Sequence, residues 1–313
     1  MRRGLLIVLL ITLGTACSGK KQSEPNAAGS TATPGTGFVT LPSGGRLYYE
    51  VAGGSGDTIV VPGAAYWSSP LAPLAQHHTV IFYDLLGRGR SDTAGPARIV
   101  MDSIVSDLEA LRQHFNAQRI GLVGVSVSSL VAAGYAARYP DRVSRLALVN
   151  PIALTAGAQT SYRPPERASR TDSAAFKEVM QLRATNGSRE AICRQAWKAN
   201  SGWFVGDASA SARIDPTWCA APNETVDATL MWLGYLSNAA GSWDITSKVR
   251  SIKAPTLVVQ AERDYFVNPA GAKAWASAIP GAKLVSLPGV GHFVLYEKPD
   301  AALAPLQEFF GGR

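Results

Sequence analysis

Three side chains, in the chain order Ser126, Asp264, His292, have the chemistry of a nucleophile, an acid and a base. A serine hydroxyl attacks carbonyls poorly at neutral pH unless an imidazole takes its proton and a carboxylate orients that imidazole. Ser126 sits in the stretch IGLVGVSVSSLVA, Ile120 to Ala132, where an apolar run ends in Gly124-Val125-Ser126-Val127-Ser128 and a helix-forming run follows at once. A strand, a sharp turn and a helix with serine at the apex is the layout of a nucleophile elbow. The turn brings two backbones together, so its flanks must be small: Gly124 adds no Cβ there, and Ser128 adds little. Glycine is the usual fifth residue, so Ser128 is a departure from the pattern.

Asp264 follows the apolar run Thr256 to Gln260, and His292 follows Lys283 to Leu287 and Pro288-Gly289-Val290-Gly291. Parallel strands deliver their carboxyl ends to one edge of a sheet, so three residues far apart in sequence can meet there. The acid could also stand directly after the run Leu146 to Val149, but Asn150 and Pro151 occupy that place, which favours Asp264. His77 and His78 precede a strand, lie toward the opposite edge, and read as surface residues. With four His and three Cys in no zinc-like spacing, no metal site is expected and no cofactor is implied.

The elements that would position these residues are short. Phe38 to Leu41 and Arg46 to Val51 alternate around Ser43-Gly44-Gly45 and predict a β-hairpin. Thr58 to Val61, Thr79 to Tyr83 and Leu146 to Val149 are apolar strands, and residues 102–116 form a helix with Ile104, Leu108, Leu111 and Phe115 on one face. Continuous apolar strands alternating with helices predict the α/β class, with a mostly parallel sheet covered on both faces. The pattern breaks between about 155 and 250, where helical patches (Ala174 to Arg183, Arg189 to Lys198, Glu224 to Tyr235) replace strands, and five of the seven Trp fall there. The expected organisation is a core of 38–154 and 251–313 and a helical insertion, 155–250, after the sixth core strand.

Together these marks resemble a capped serine α/β-hydrolase, similar to the proline iminopeptidase-like branch. The resemblance runs from about Phe38 to the end and is weakest in the insertion. It rests on Pro62-Gly63-Ala64, where the family usually has His-Gly-x, and on the loop Asp84-x-x-Gly87-x-Gly89-x-Ser91-Asp92. The elbow, Asp264, and Gly291-His292-Phe293 followed by Glu297-Lys298-Pro299 complete it. The resemblance implies an α/β-hydrolase fold and cleavage of an ester or amide of a small-molecule or short-peptide substrate through an acyl-serine. It makes the backbone N–H groups of Val127 and Ala64 the oxyanion donors, each typically worth about 2.7–4 kcal/mol in the transition state. The insertion becomes a cap over Ser126 that sets substrate choice, with at least three of its five Trp in its own small core. The loop from Asp84 to Asp92 is structural, tied down by Asp84.

An Asp at the elbow would indicate dehalogenase or epoxide-hydrolase chemistry, which Ser126 argues against. Alternatives on the same triad are an aminopeptidase of the proline iminopeptidase type, a C–C hydrolase or a perhydrolase. The aminopeptidase would need insertion carboxylates, from Glu166 through Asp227, to hold the substrate amine. From another class, a non-catalytic ligand-binding protein on a hydrolase scaffold is kept open by the irregular Pro62 and Ser128.

At the N-terminus, Arg2 and Arg3 precede an apolar run, Leu5 to Leu13, too short to span a bilayer, and then Gly14-Thr15-Ala16-Cys17. Residues 1–16 read as a secretory signal peptide. Cys17 after small residues resembles a bacterial lipobox, although Leu13 stands four places before it where the pattern has three. Residues 17–37, rich in Gly, Ser, Thr, Pro and Ala, form a flexible tether. The expectation is an extracytoplasmic lipoprotein anchored to the cell envelope through Cys17, with a secreted or soluble periplasmic protein as the alternative. In that oxidising compartment Cys193 and Cys219 should pair, stabilising the fold by about 3 kcal/mol. The 313 residues are 46% hydrophobic, enough for a large core, and the formal charge of +7 comes from dispersed Lys and Arg, which indicates a solvated surface and no nucleic-acid partner. Oligomeric state is left open.

Overall fold

The computed structural model describes residues 32–224, 231–232, 234–236 and 243–311. The expected signal peptide, Cys17 and most of the tether lie outside the described residues, as does part of the third helical patch with Asp227.

Eight strands form one sheet: β1 (Gly35–Thr40), β2 (Arg46–Ala52), β3 (Thr58–Pro62), β4 (Thr79–Tyr83), β5 (Ile120–Val125), β6 (Val143–Val149), β7 (Thr256–Ala261) and β8 (Lys283–Leu287). Their spatial order is β1-β2-β4-β3-β5-β6-β7-β8. Strand β2 runs against both neighbours; every other pairing is parallel. Strands β3, β4, β5 and β7 are buried along their whole length, which requires cover on both faces.

That cover follows the two-residue period of a strand. Ile120 and Leu122 of β5 and Leu146 and Leu148 of β6 face one cluster, with α2 (Met101–His114) and α3 (Ser128–Arg138). Val123, Val125, Ala147 and Val149 face the other, with α1 (Ala64–Leu71) and the C-terminal helix Pro299–Gly311. The sheet is therefore held from both sides, and its carboxyl edge is a rigid platform.

The insertion leaves after β6 and returns before β7. Thr155 bridges Asp244 in antiparallel fashion, and Ala156 N–H donates to Trp243 O, so the outgoing and returning chains run side by side at the neck. Among the described residues it contains α4 (Ala156–Ser161), α5 (Glu166–Ser169), α6 (Ser173–Ala184), α7 (Arg189–Asn200) and several 3-10 turns, but no strand.

The tryptophans do not do what the sequence suggested. Four of the five fasten the insertion to the core, and only Trp203, held by Arg167 O and Thr171 Oγ1, stays within it. Trp218 stacks on Tyr66 at 5.1 Å and Trp197 lies 5.1 Å from Phe293. The indole N–H of Trp232 donates to Leu86 O, and that of Trp243 to Ala153 O. An indole carries both a large apolar face and one donor, so it suits a seam where a neighbouring loop offers a free carbonyl. His78 is a second correction: it is buried with its ring beside Phe310, while His77 is exposed as expected. Cys193 and Cys219 are joined in a disulfide that ties α7 to the turn carrying Trp218.

Candidate active site

Strand β5 ends at Val125 and α3 begins at Ser128, which leaves Ser126 on a turn with φ of 54°. A non-glycine residue in the left-handed region is strained and is kept there by its surroundings. The flank explains why Gly124 is required: a Cβ there would stand 2.8 Å from Ser129 Cα and 2.9 Å from Ala132 Cβ. Ser126 N–H donates to Val149 O, which fixes the turn against β6.

The three residues meet at the carboxyl edge. His292 Nε2 is 2.9 Å from Ser126 Oγ, and His292 Nδ1 is 2.7 Å from Asp264 Oδ2. Asp264 and His292 are buried, and Ser126 is half-exposed. The second oxygen of Asp264, Oδ1, accepts the N–H groups of Phe266 and Val267 at 2.8 and 2.7 Å. One carboxylate oxygen thus fixes the loop and the other faces the imidazole. Arranged this way, the hydroxyl can pass its proton to an imidazole whose orientation is set by a buried acid.

The two expected oxyanion donors end neighbouring parallel strands. Ala64 follows β3 through Gly63, whose φ is 94°, and Val127 follows β5. Neither N–H has an acceptor among the described residues. Ala64 is the first residue of α1, where backbone donors lack helical partners. The next N–H, of Ala65, is taken by Asp84 Oδ1 at 2.9 Å. Asp84 also accepts Arg90 N–H through Oδ2, so it does tie down the glycine loop. Burial raises its pKa to about 6, against those two N–H groups, which lower it.

The same loop grips the insertion. Arg88 and Glu224 form a buried bidentate pair at 2.7 and 2.8 Å, and Glu224 also accepts Gly89 N–H and Tyr66 O–H. Glu224 is therefore neutralised by a cation. Asp172 and Asp207 cap helical turns, and Glu190 and Asp215 pair with Arg194. Glu178 accepts from Gln195, and Glu166 is exposed. The wall beside His292 is aromatic instead: Phe266 and Phe204 lie 5.1 and 5.9 Å from the imidazole.

Two residues visible in the sequence, but given no supporting role there, hold the site in place. Asn150, buried and with φ of 44°, donates from Nδ2 to His292 O at 2.7 Å and accepts Ala261 N–H on Oδ1 at 2.7 Å. Glu297 accepts the N–H groups of Gly291, Gly206 and Asp207 at 2.8 to 2.9 Å, joining the histidine loop to the insertion. The signals were present, as an asparagine at a strand end where a left-handed residue fits, and as the Glu of Glu297-Lys298-Pro299.

A family model described as the alpha/beta hydrolase fold matches residues 52–299. An uncharacterized protein of Mycobacterium tuberculosis is 25% identical over 288 residues, 89% of this chain and 82% of its own. A Pantoea ananatis protein provisionally named carbamate hydrolase RutD is 23% identical over 262 residues, 81% of this chain and 89% of its own. A crystal structure of a hydrolase from Pseudomonas aeruginosa superposes with a TM-score of 0.67 at 21% identity, over 88% of this chain and 98% of that one.

Proposed function

Because the chain belongs to the α/β-hydrolase family, we propose that it is a serine hydrolase cleaving an ester or amide of a small substrate through an acyl-serine. Ser126 Oγ attacks the carbonyl as His292 Nε2 takes its proton; Asp264 holds the imidazole in the required orientation. The free N–H groups of Val127 and Ala64 receive the oxyanion. His292 then returns the proton to the leaving group, and water, activated by the same imidazole, releases the acyl group. The observation that carries this reading is the chain of contacts at 2.9 and 2.7 Å from Ser126 Oγ through His292 to Asp264. The strained φ at Ser126 argues against a binding protein on a hydrolase scaffold, which would have no need of it.

An ester or other uncharged carbonyl substrate fits better than a free-amine peptide. The resemblance to iminopeptidases would require a carboxylate free to bind the amine. The described acidic residues of the insertion are engaged elsewhere, apart from the exposed Glu166. The insertion is read as a cap whose aromatic side chains border the site. The reaction is tested with p-nitrophenyl acetate: a burst of nitrophenol is expected from the wild type and none from Ser126→Ala. A burst that survives the substitution sinks the proposal. Short-chain esters set beside aminoacyl-naphthylamides then separate esterase from aminopeptidase, and faster amide turnover would reverse the preference stated here.

The location proposed is the cell envelope, with Cys17 as lipid anchor. The Cys193–Cys219 disulfide supports an oxidising compartment. Metabolic labelling with radioactive palmitate should mark the wild type and not Cys17→Ser; equal labelling of both removes the anchor.

A further inference from the structure

We propose that Arg167, in the insertion, is a positioning residue for Asp264: it holds the loop that presents the acid to His292. The inference rests on the serine-hydrolase reading above.

Residues 264–266 expose three successive backbone carbonyls, and side chains of the insertion take all three. Tyr162 O–H donates to Asp264 O at 2.8 Å. Arg167 donates from Nε to Tyr265 O at 2.6 Å and from Nη2 to Phe266 O at 3.0 Å, where Gln159 Nε2 adds a contact at 3.3 Å. The N–H groups of Phe266 and Val267 go to Asp264 Oδ1. The loop is thus fixed from inside by the acid and from outside by the insertion. Arg167 contributes two charge-assisted bonds from one planar group, which constrains orientation as well as distance.

Arg167 is itself held. Its guanidinium lies 5.3 Å from the Trp203 ring and 5.8 Å from those of Tyr162 and Phe266, and its own carbonyl accepts Trp203 Nε1–H at 3.1 Å. A half-buried cation boxed by aromatics has little rotamer freedom, so it can act as a fixed template. The spacing matters because Asp264 Oδ2 must reach His292 Nδ1 while Oδ1 stays on the loop; a shift of about 1 Å in such a constellation can lower a rate about 100-fold. Seating of the insertion and alignment of the acid are therefore one event. A part of the chain more than ninety residues from Asp264 forms the wall behind it.

The test uses the full-length protein and two readouts. One is the rate at which a fluorophosphonate probe labels Ser126. The other is the low-field NMR resonance of the proton between His292 Nδ1 and Asp264. Arg167→Met should slow labelling at least tenfold and shift or broaden that resonance, with Arg167→Lys intermediate and the exposed Arg213→Gln unchanged. Wild-type labelling and resonance in Arg167→Met overturn the proposal. If Arg167→Met does not fold, Arg167→Lys, which keeps the charge but lacks the planar fork that reaches both carbonyls, decides: slower labelling with a moved resonance supports it, and wild-type values in both overturn it. A wild type that is not labelled at all overturns the serine-hydrolase reading instead, and the resonance still reports whether Arg167 positions the acid.

Discussion

Ser128 Oγ accepts the N–H of Val125 at 3.0 Å and donates to the carbonyl of the same residue at 2.7 Å. The residue that departs from the elbow pattern is thus the one that closes the elbow, while Ser126 N–H is held separately by Val149 O. Ser128→Ala would leave a buried donor and a buried acceptor of Val125 without this partner. The expected loss is about 1–3 kcal/mol of stability, read from urea unfolding, with slower Ser126 labelling. Unchanged stability would mean that the hydroxyl merely fills space.

The disulfide closes a loop between positions 26 residues apart. Loop-closure entropy for that length gives about 3–4 kcal/mol. Cys193→Ser with Cys219→Ser should lower the thermal midpoint by several degrees and remove its sensitivity to dithiothreitol. Mass mapping that finds both thiols free in the wild type would refute the bridge.

Asp84 makes stability depend on pH in a definite direction. Burial raises its folded pKa to about 6, well above the value of about 3.9 for an unfolded carboxyl group. Its contribution is therefore complete below about pH 4 and is lost as pH rises through about 6. Gly89 makes room for it, since a Cβ there would lie 2.1 Å from the Asp84 carboxylate. The stability of wild type relative to Asp84→Asn should fall by about 3 kcal/mol between pH 4 and pH 7. A difference that stays flat across that range would show that Asp84 is not titrating there.

The parts of the site that could be read in the sequence are those with a local signature. Ser126, Asp264 and His292 each follow a short apolar run broken by small residues, so their placement at the ends of β5, β7 and β8 follows from hydrophobic pattern and turn chemistry. Arg167 has no such signature, and the signals at Asn150 (an asparagine at a strand end) and Glu297 (in Glu297-Lys298-Pro299) do not say what those residues bind. Their partners lie between 6 and 142 residues away, and nothing in the neighbouring residue types announces a backbone carbonyl or N–H held open for them. The tryptophans misled for a related reason: composition shows that they must be buried, but not on which side of a seam. The place of His78 before a strand, toward the edge of the sheet opposite Ser126, suggests a surface residue, yet the C-terminal helix covers it with Phe310.

Asn150 is the strongest case of a supporting residue whose chemistry can be separated from its bulk. Its amide faces two ways: Oδ1 receives Ala261 N–H from the strand that leads to the acid, and Nδ2 donates to the carbonyl of His292. It therefore sets the spacing between the acid strand and the histidine loop. Asn150→Asp keeps the shape and tolerates the left-handed backbone, but turns the donor into an acceptor facing the His292 carbonyl. Two acceptors cannot share a proton unless the acid is protonated, so the substitution should destabilise by about 1–3 kcal/mol and slow Ser126 labelling at neutral pH. Labelling should recover in part as pH falls and the new carboxyl gains a proton to donate. Asn150→Ala, which removes both contacts, should show the loss without the recovery. If the two variants instead share one pH profile, Asn150 acts through packing alone and does not set the position of His292.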